Sequence, residues 1–225
     1  MQALDTNARV RGGRATAMTK YLSHAVLDDF LPQDFHDGLL DFALNNRERF
    51  KPNRIYADSG ASLDTSVRKS LYCKDGLGPL HHSFRDAVTS RFPELVQKLG
   101  MQTFKISAVE LELAAHRDGS FFKRHIDTLP LRAQDEEIKS RTISAVYYFH
   151  ASPRKFSGGE LALFPLGPGE AVAIEPCDNR LVAFPSFAPH EVRPVVCPTD
   201  EFGHARFAVN CWLYKSSSAP NLGQA

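Results

Sequence analysis

The chain has 225 residues, of which 43% are apolar and 24% are charged, and its formal net charge is +1. These values predict a soluble globular protein with one large domain, and the balanced charge argues against nucleic acid or an anionic membrane as a partner. No apolar run approaches the roughly 18 residues that a membrane span requires.

The N-terminal part of the chain is predicted to be mostly helical after a short extension. Residues 1–17 carry three arginines and no apolar periodicity, so we expect a flexible N-terminal extension. Apolar residues then recur at helical spacing, which predicts helical support within residues 18–100. The individual segments are an amphipathic helix over 33–49, a turn-rich stretch over 51–63, a strand over 66–73 and a second helical region over 77–99, broken near Pro93.

After Gly100 the pattern changes to short strands. Val109 and Leu111 alternate with Glu110 and Glu112, as in a half-buried strand. Further strand-like runs cover 120–127, 141–150, 159–165, 169–175, 180–184, 190–196 and 205–214. About eight strands with no long helix between them predict an antiparallel double-sheet barrel or jelly roll. This barrel spans 101–215 within a single domain over 18–215, so the fold class is α+β and mainly β, with helices supporting one face.

Two segments of this half are predicted to be flexible. Residues 128–140 are charged and irregular, so we expect a mobile loop there that is placed to act as a lid over a substrate. Residues 216–225 are small and polar and predict a flexible tail.

The cysteine pattern bears on the cellular compartment. The four cysteines form no C-x-x-C pair, and the N-terminus lacks the charged and apolar regions of a signal peptide. We therefore expect reduced thiols in a cytoplasmic protein.

Two histidines and an aspartate form a candidate metal site. In an extended strand, His125 and Asp127 project to the same side. His190 begins a later strand, where a side chain can be aimed into the mouth of a barrel. Two histidines and one carboxylate occupy one face of an octahedral metal and leave positions open, as in non-haem Fe(II) oxygenases.

Arg206 is the candidate partner for an acidic co-substrate. Residues 206, 208, 210 and 212 share one strand face, so Arg206 and Trp212 point the same way. An arginine that faces a barrel interior is costly to bury unless a carboxylate meets its planar fork. The distal carboxylate of a 2-oxo diacid that chelates iron would supply this partner.

Four sequence blocks follow one another in the second half of the chain. They are Asp118-Gly119 with Phe121 to Asp127, Arg141 to His150, Phe156 to Pro165, and Phe184-Pro185 through His190 to Arg206 and Trp212. Through these blocks, over residues 104–214, the chain resembles the 2-oxoglutarate- and Fe(II)-dependent dioxygenases, and among them the prolyl 4-hydroxylase-like enzymes.

The resemblance implies a double-stranded β-helix in which His125, Asp127 and His190 bind Fe(II) and carry the catalysis. Arg206 would bind the distal carboxylate of 2-oxoglutarate, and Tyr148 would add a hydroxyl to the same carboxylate. Dioxygen would be the other co-substrate, with ascorbate as a candidate reductant. The enzyme would hydroxylate a C–H bond, either of a prolyl residue in a protein or peptide or of an amino-acid-like small molecule.

The chain departs from the family pattern at two points. His116 stands where related enzymes often carry a tyrosine near the co-substrate, so we expect it to replace that hydroxyl or to touch the substrate. The gap between His190 and Arg206 is longer than usual, which keeps Arg193 as a weaker candidate for the role of Arg206. The Val-Arg-Pro-Val setting of Arg193 nevertheless predicts an outward side chain.

Other interpretations of these residues remain open at this level. Arg141 is equally well explained as a substrate-binding residue and as a solvated surface arginine, and Tyr148 as a ligand or as core. Trp212 is expected in the core. A non-catalytic barrel that binds a metal or a small acid is the main alternative function. A zinc hydrolase with the same three ligands would leave Arg206 without a purpose.

Overall fold

The computed structural model describes residues 22–53, 55–57, 60–62, 65–128 and 137–218, with the backbone alone at 55–57, 60–62, 137–139 and 217–218. The predicted extension over 1–17 and most of the predicted loop over 128–140 lie outside these ranges.

The α-helices of the described ranges lie in the first hundred residues, as predicted, and a short 3-10 helix follows at Phe202–His204. The α-helices are α1 (Gln33–Asn45), α2 (His81–Ser90) and α3 (Phe92–Leu99). Helix α3 begins with Pro93 in its first turn, where a missing N–H costs no hydrogen bond, and ends at Gly100, whose φ of 62° is the left-handed conformation that glycine adopts easily. None of these helices combines the length and the apolar composition that crossing a membrane requires.

The strands form two main antiparallel sheets. In chain order they are β1 (Ala25–Leu27), β2 (Phe50–Pro52), β3 (Ile55–Ala57), β4 (Gly60–Ser62), β5 (Arg68–Lys69), β6 (Leu71–Cys73), β7 (Ile106–His116), β8 (Phe121–His125), β9 (Glu137–Phe149), β10 (Ser157–Gly158), β11 (Leu161–Leu163), β12 (Val172–Ile174), β13 (Arg180–Pro185), β14 (His190–Val192), β15 (Val195–Val196) and β16 (Arg206–Ser218). The larger sheet has the order β1-β13-β9-β16-β7-β6-β2, and the smaller sheet has the order β12-β11-β14-β8-β5.

The larger sheet separates the hydrophobic core from the barrel interior. Along β16, Phe207 and Val209 pack with helix residues such as Phe84 into the main core. The alternate residue Ala208 packs instead with Tyr148 and with residues of the smaller sheet. Since side chains alternate along a strand, β16 contributes to both layers, and the predicted double-stranded β-helix supported by helices is confirmed.

Several predicted boundaries were wrong because pairing between distant strands decides them. Strand β9 begins at Glu137, where a loop was predicted, and β16 continues to Ser218, where a tail was predicted. These two extensions pair with each other, Glu137 opposite Ser218, and so satisfy each other's backbone groups. The predicted strand over 66–73 is divided between the two sheets, and the run over 190–196 is interrupted at Arg193-Pro194.

A buried polar cluster connects α1 to the back of the barrel. His36 lies 2.8 Å from the Tyr147 hydroxyl through Nδ1, and 3.1 Å from Asp178 Oδ2 through Nε2. The Tyr147 hydroxyl donates to Asn179 Oδ1 at 2.9 Å, so the cluster spans helix, sheet and turn. Hydrogen bonding to Asp178 raises the pKa of His36 against the opposing effect of burial, and Asp37 adds a smaller effect in the same direction.

We expect the free energy of unfolding to decrease as the pH rises through the folded-state pKa of His36, which lies above the ordinary value of 6.5. A raised pKa means that the folded state holds the proton more tightly, so this stabilisation is complete below pH 6.5 and is lost above the folded-state pKa. Urea unfolding at several pH values measures the change.

His36→Gln should lack this pH dependence and be about 1–3 kcal/mol less stable near neutral pH, because Asp178 and Tyr147 lose a buried partner. The exposed His82→Gln is the matched control and should behave as the wild type. An unchanged pH profile in His36→Gln would contradict this assignment.

Candidate metal centre

Strand pairing brings the three predicted metal ligands together. His125 ends β8, and His190 begins β14 directly opposite it in the antiparallel ladder. The backbone N–H of Asp127 donates to Ser186 O at 2.9 Å, which holds the aspartate beside the turn before β14. The candidate ligand atoms of the three residues lie within 4.8 Å of one another. The geometry therefore places two imidazoles and one carboxylate around a single point.

Backbone carbonyls orient both imidazoles for metal binding. His125 Nδ1 lies 2.8 Å from Lys123 O, and His190 Nδ1 lies 2.9 Å from Ala188 O. A carbonyl only accepts hydrogen bonds, so each Nδ1 carries the proton and each Nε2 keeps its lone pair for a metal. Burial lowers the pKa of His190 to about 4, so its ring is neutral at pH 7.

Asp127 is held by two hydrogen-bond donors on one oxygen. Ser144 Oγ donates to Asp127 Oδ2 at 2.7 Å, and Trp212 Nε1 donates to the same oxygen at 2.9 Å. Burial raises the pKa of Asp127, but His125, His190 and the Ser144 hydroxyl outweigh it and hold the pKa well below its usual range. The carboxylate is therefore ionised, and its Oδ1 is free of these two bonds.

A buried arginine shares the cavity with these ligands. The cavity has a volume of about 50 Å³, and Arg206 and Tyr148 line it together with the three ligands. Arg206 is only 1% exposed, and its guanidinium carbon lies 4.7 Å from the centre of the Tyr148 ring. Among the described residues, Arg206 Nε and the Tyr148 hydroxyl have no hydrogen-bond partner. Burial lowers the pKa of Arg206 and raises the pKa of Tyr148.

These two orphaned groups fit an acidic co-substrate. A buried cation that no carboxylate of the described residues meets is costly, and a ligand carboxylate that accepts from Nε and from a hydroxyl removes the cost. The three candidate metal ligands fit Fe(II) equally well, because two histidines and one carboxylate leave coordination positions open for a chelating ligand. The residues present are therefore suited to both Fe(II) and a 2-oxo diacid.

Gly159 gives the arginine the space that it occupies. A Cβ at this position would lie 2.8 Å from Arg206 Cδ and 2.9 Å from Val195 Cγ2, and the φ of 74° disfavours any other residue. The turn Ser157-Gly158-Gly159 thus forms part of the wall behind Arg206.

Some pocket residues were not identified from the sequence. Arg68 and Asn210 line the cavity, and both donate to Glu112 Oε1, at 2.7 Å and 3.0 Å respectively. Asn210 lies on the strand face of Arg206, so alternation along β16 was a usable signal for it. Nothing local marks Arg68, because it reaches the site through pairing of β5 with β8. Nothing local marks Ser144 either, because its contact with Asp127 joins two separate segments of the chain.

The remaining candidates divide between the cavity, which His116 and Trp212 line, and its surroundings. Trp212 was predicted to be core and this is wrong, since it is half-buried, lines the cavity and bonds to Asp127. Arg141 stacks on Trp212, with its guanidinium carbon 4.1 Å from the ring centre, and pairs with Glu110 at 2.7 Å. Arg193 is exposed, as predicted. His116 lines the cavity and contacts Arg206, 3.0 Å from Nδ1 to Nη1.

Comparisons with known proteins agree with this geometry. A family model described as the 2OG-Fe(II) oxygenase superfamily matches residues 111–214. An uncharacterized PKHD-type hydroxylase of Synechocystis is 29% identical over 201 residues, which are 86% of this chain and 63% of that protein. The chain spans less than two thirds of the length of the curated relatives that it matches.

Two solved structures share the fold. A Trichoplax adhaerens prolyl hydroxylase in complex with a peptide fragment of hypoxia inducible factor aligns with a TM-score of 0.63 and 22% identity, covering 86% of this chain and 84% of that one. A Pseudomonas putida prolyl-4-hydroxylase aligns with a TM-score of 0.60 and 23% identity, covering 87% and 94% respectively.

Ser144→Ala should lower the affinity for Mn(II), used as an air-stable substitute for Fe(II), by about tenfold. The reason is that Asp127 Oδ2 loses one of its two donors and the carboxylate is held less firmly. Calorimetric titration with Mn(II) measures the affinity, and exposed Ser157→Ala is the control. Equal affinities for Ser144→Ala and the wild type would contradict the proposed role of Ser144 in holding Asp127.

Gly159→Ala should weaken 2-oxoglutarate binding on the order of tenfold while leaving Mn(II) affinity unchanged, because the added Cβ displaces Arg206 and Val195, neither of which is a candidate metal ligand. The control is Gly167→Ala, where an added Cβ meets no atom within 4 Å. Calorimetry of the Mn(II)-loaded variants separates the two effects. Loss of metal and 2-oxoglutarate binding together would instead indicate a general distortion of the barrel.

Proposed function

We propose that this chain is a member of the 2OG-Fe(II) oxygenase superfamily, whose model matches residues 111–214, and that it hydroxylates a C–H bond with Fe(II), 2-oxoglutarate and dioxygen. The observation that carries the proposal is one cavity that joins the His125, Asp127 and His190 ligand set to the unpaired Arg206. The ligand set explains how a metal would be held, and Arg206 explains how an acid that chelates the metal would be held at its other end.

When bound, Fe(II) with 2-oxoglutarate and dioxygen supplies an oxidant that converts C–H to C–OH, while 2-oxoglutarate is oxidised to succinate and carbon dioxide. The residues of the chain hold the metal-binding atoms in place. His125 and His190 present Nε2 because Nδ1 of each is bound to the backbone. Asp127 is fixed by Ser144 and Trp212.

Arg206 and Tyr148 are proposed to bind the distal carboxylate of 2-oxoglutarate, with His116 beside them. Arg206 Nε and the Tyr148 hydroxyl would then gain the acceptor that they lack among the described residues. The cavity is closed enough that the guanidinium is buried, which strengthens its attraction for a carboxylate.

The proposed substrate is a prolyl residue in a protein or peptide, with an amino-acid-like small molecule as the second possibility. The cavity at the ligands is proposed to hold 2-oxoglutarate, so the bulk of a peptide substrate would lie outside it. An adjoining groove of about 480 Å³ shares Arg68 with the cavity and is lined by polar residues such as Asn53, Ser70 and Ser120. An open polar groove of this size suits an extended polypeptide. Arg141, held at the rim by Glu110, is proposed to face the same substrate.

The alternatives explain less of the geometry. A non-catalytic barrel would have no need for intact ligands, a supported carboxylate and an acid-binding arginine together. A zinc hydrolase with the same three ligands would leave Arg206 Nε buried without an acceptor among the described residues.

We also propose that the protein works in the cytoplasm. All four of its cysteines are free in the structure, and three of them are buried, as expected of a protein made in a reducing compartment.

Anaerobic titration of the protein with Fe(II) and 2-oxoglutarate should produce the weak visible charge-transfer band of a chelated complex, and admission of air should produce succinate. His125→Ala should abolish both signals because a ligand is lost. Arg206→Ala should retain the band but require on the order of a hundredfold more 2-oxoglutarate, since a buried charge-assisted pair is lost.

The exposed Arg193→Ala is the matched control and should titrate as the wild type does. If the wild type gives no band and no succinate, the oxygenase proposal is wrong. If Arg206→Ala titrates normally, the carboxylate is bound elsewhere.

A further inference from the structure

His116 and Arg206 form a buried pair at the inner end of the cavity. They lie directly opposite each other on β7 and β16. His116 Nδ1 is 3.0 Å from Arg206 Nη1, and the two residues are 3% and 1% exposed. A histidine beside an arginine is unfavourable if both are charged, so this pairing requires an explanation.

The hydrogen-bonding capacity of the Arg206 guanidinium determines which nitrogen of His116 carries the proton. Arginine only donates hydrogen bonds, so His116 Nδ1 must be the acceptor and cannot carry a proton. A neutral ring then carries its proton on Nε2. Burial lowers the pKa of His116 well below its ordinary value, and the nearby Arg206 and Arg68 act in the same direction.

We infer that His116 is a positioning residue that fixes the rotation of the Arg206 guanidinium through Nδ1, and so sets the preference of the site for acids with a distal carboxylate. This inference rests on the function proposed above. The contact engages Nη1 and leaves Nε, which has no partner among the described residues, for the ligand.

Other contacts show why one hydrogen bond is sufficient to fix the fork. The guanidinium carbon of Arg206 lies over the Tyr148 ring, 4.7 Å from its centre. Gly159 allows the stem of the arginine to pass close to the backbone. These contacts restrain the position of the stem, while rotation about the Cδ–Nε bond, which turns the two Nη atoms, is set by the bond to His116.

The inference predicts an effect that depends on the carboxylate. Loss of the Nδ1 acceptor should weaken binding of 2-oxoglutarate, whose distal carboxylate meets the fork. It should leave binding of 2-oxopentanoate unchanged, because that acid has the same chelating end and chain length but no distal carboxylate. A merely structural role for His116 would weaken both ligands to the same degree.

The test measures the affinities of both acids for the Mn(II)-loaded wild type, His116→Leu and His116→Asn by calorimetry. His116→Leu should lose on the order of tenfold in affinity for 2-oxoglutarate alone. His116→Asn should recover most of the loss, since its side-chain carbonyl can stand near the position of Nδ1. The ring nitrogens of wild-type His116, observed by nitrogen-15 NMR, should show an unprotonated Nδ1 and a protonated Nε2.

Equal 2-oxoglutarate affinities for wild type and His116→Leu, parallel losses for both acids, or a protonated Nδ1 would each overturn the inference. The NMR measurement uses the wild type and does not depend on whether a variant folds. Failure of the proposed function looks different, because the wild type itself would then form no succinate in air, whatever its affinity for the two acids.

Discussion

The antiparallel pairing of β8 with β14 is the constraint on which the site depends. It sets His190 opposite His125, although the two residues are far apart in the chain. A shift of one residue in this register would turn one imidazole to the other face of the sheet and separate the ligands. The contact from Asp127 N to Ser186 O then places the carboxylate beside both rings. The metal centre is thus a consequence of strand register, supported by backbone hydrogen bonds to both imidazoles.

Strand β16 links this centre to the stability of the whole domain. Its alternate residues fill the core beneath the helices and line the cavity, so packing of Phe207 and Val209 holds Arg206 in place on the opposite face. Burying the charge of Arg206 without a carboxylate among the described residues lowers the stability of the fold. In the proposed function, a ligand whose carboxylate reaches Arg206 would remove this penalty, and the site would select for such acids.

Much of this arrangement follows from features that are local in the sequence. His125, Asp127, His190 and Arg206 stand in a fixed order on strands with clear alternation, and the structure brings all four to one cavity. Ser144 and Arg68 carry no such local mark, since pairing between distant strands brings them to the site. The same cause extended β9 and β16 beyond their predicted ends. Trp212 differs from the predicted core residue because its N–H donates to Asp127, which holds the ring at the cavity.

The central claim is that three side chains hold the metal while Arg206 binds the far end of the co-substrate. Anaerobic crystals grown with Mn(II) and 2-oxoglutarate test it directly through the anomalous signal of the metal. The account predicts one metal peak bound by His125, Asp127 and His190, with the distal carboxylate of 2-oxoglutarate against Arg206 Nε and the Tyr148 hydroxyl. A metal peak elsewhere, or a 2-oxoglutarate whose distal carboxylate avoids Arg206, would contradict it.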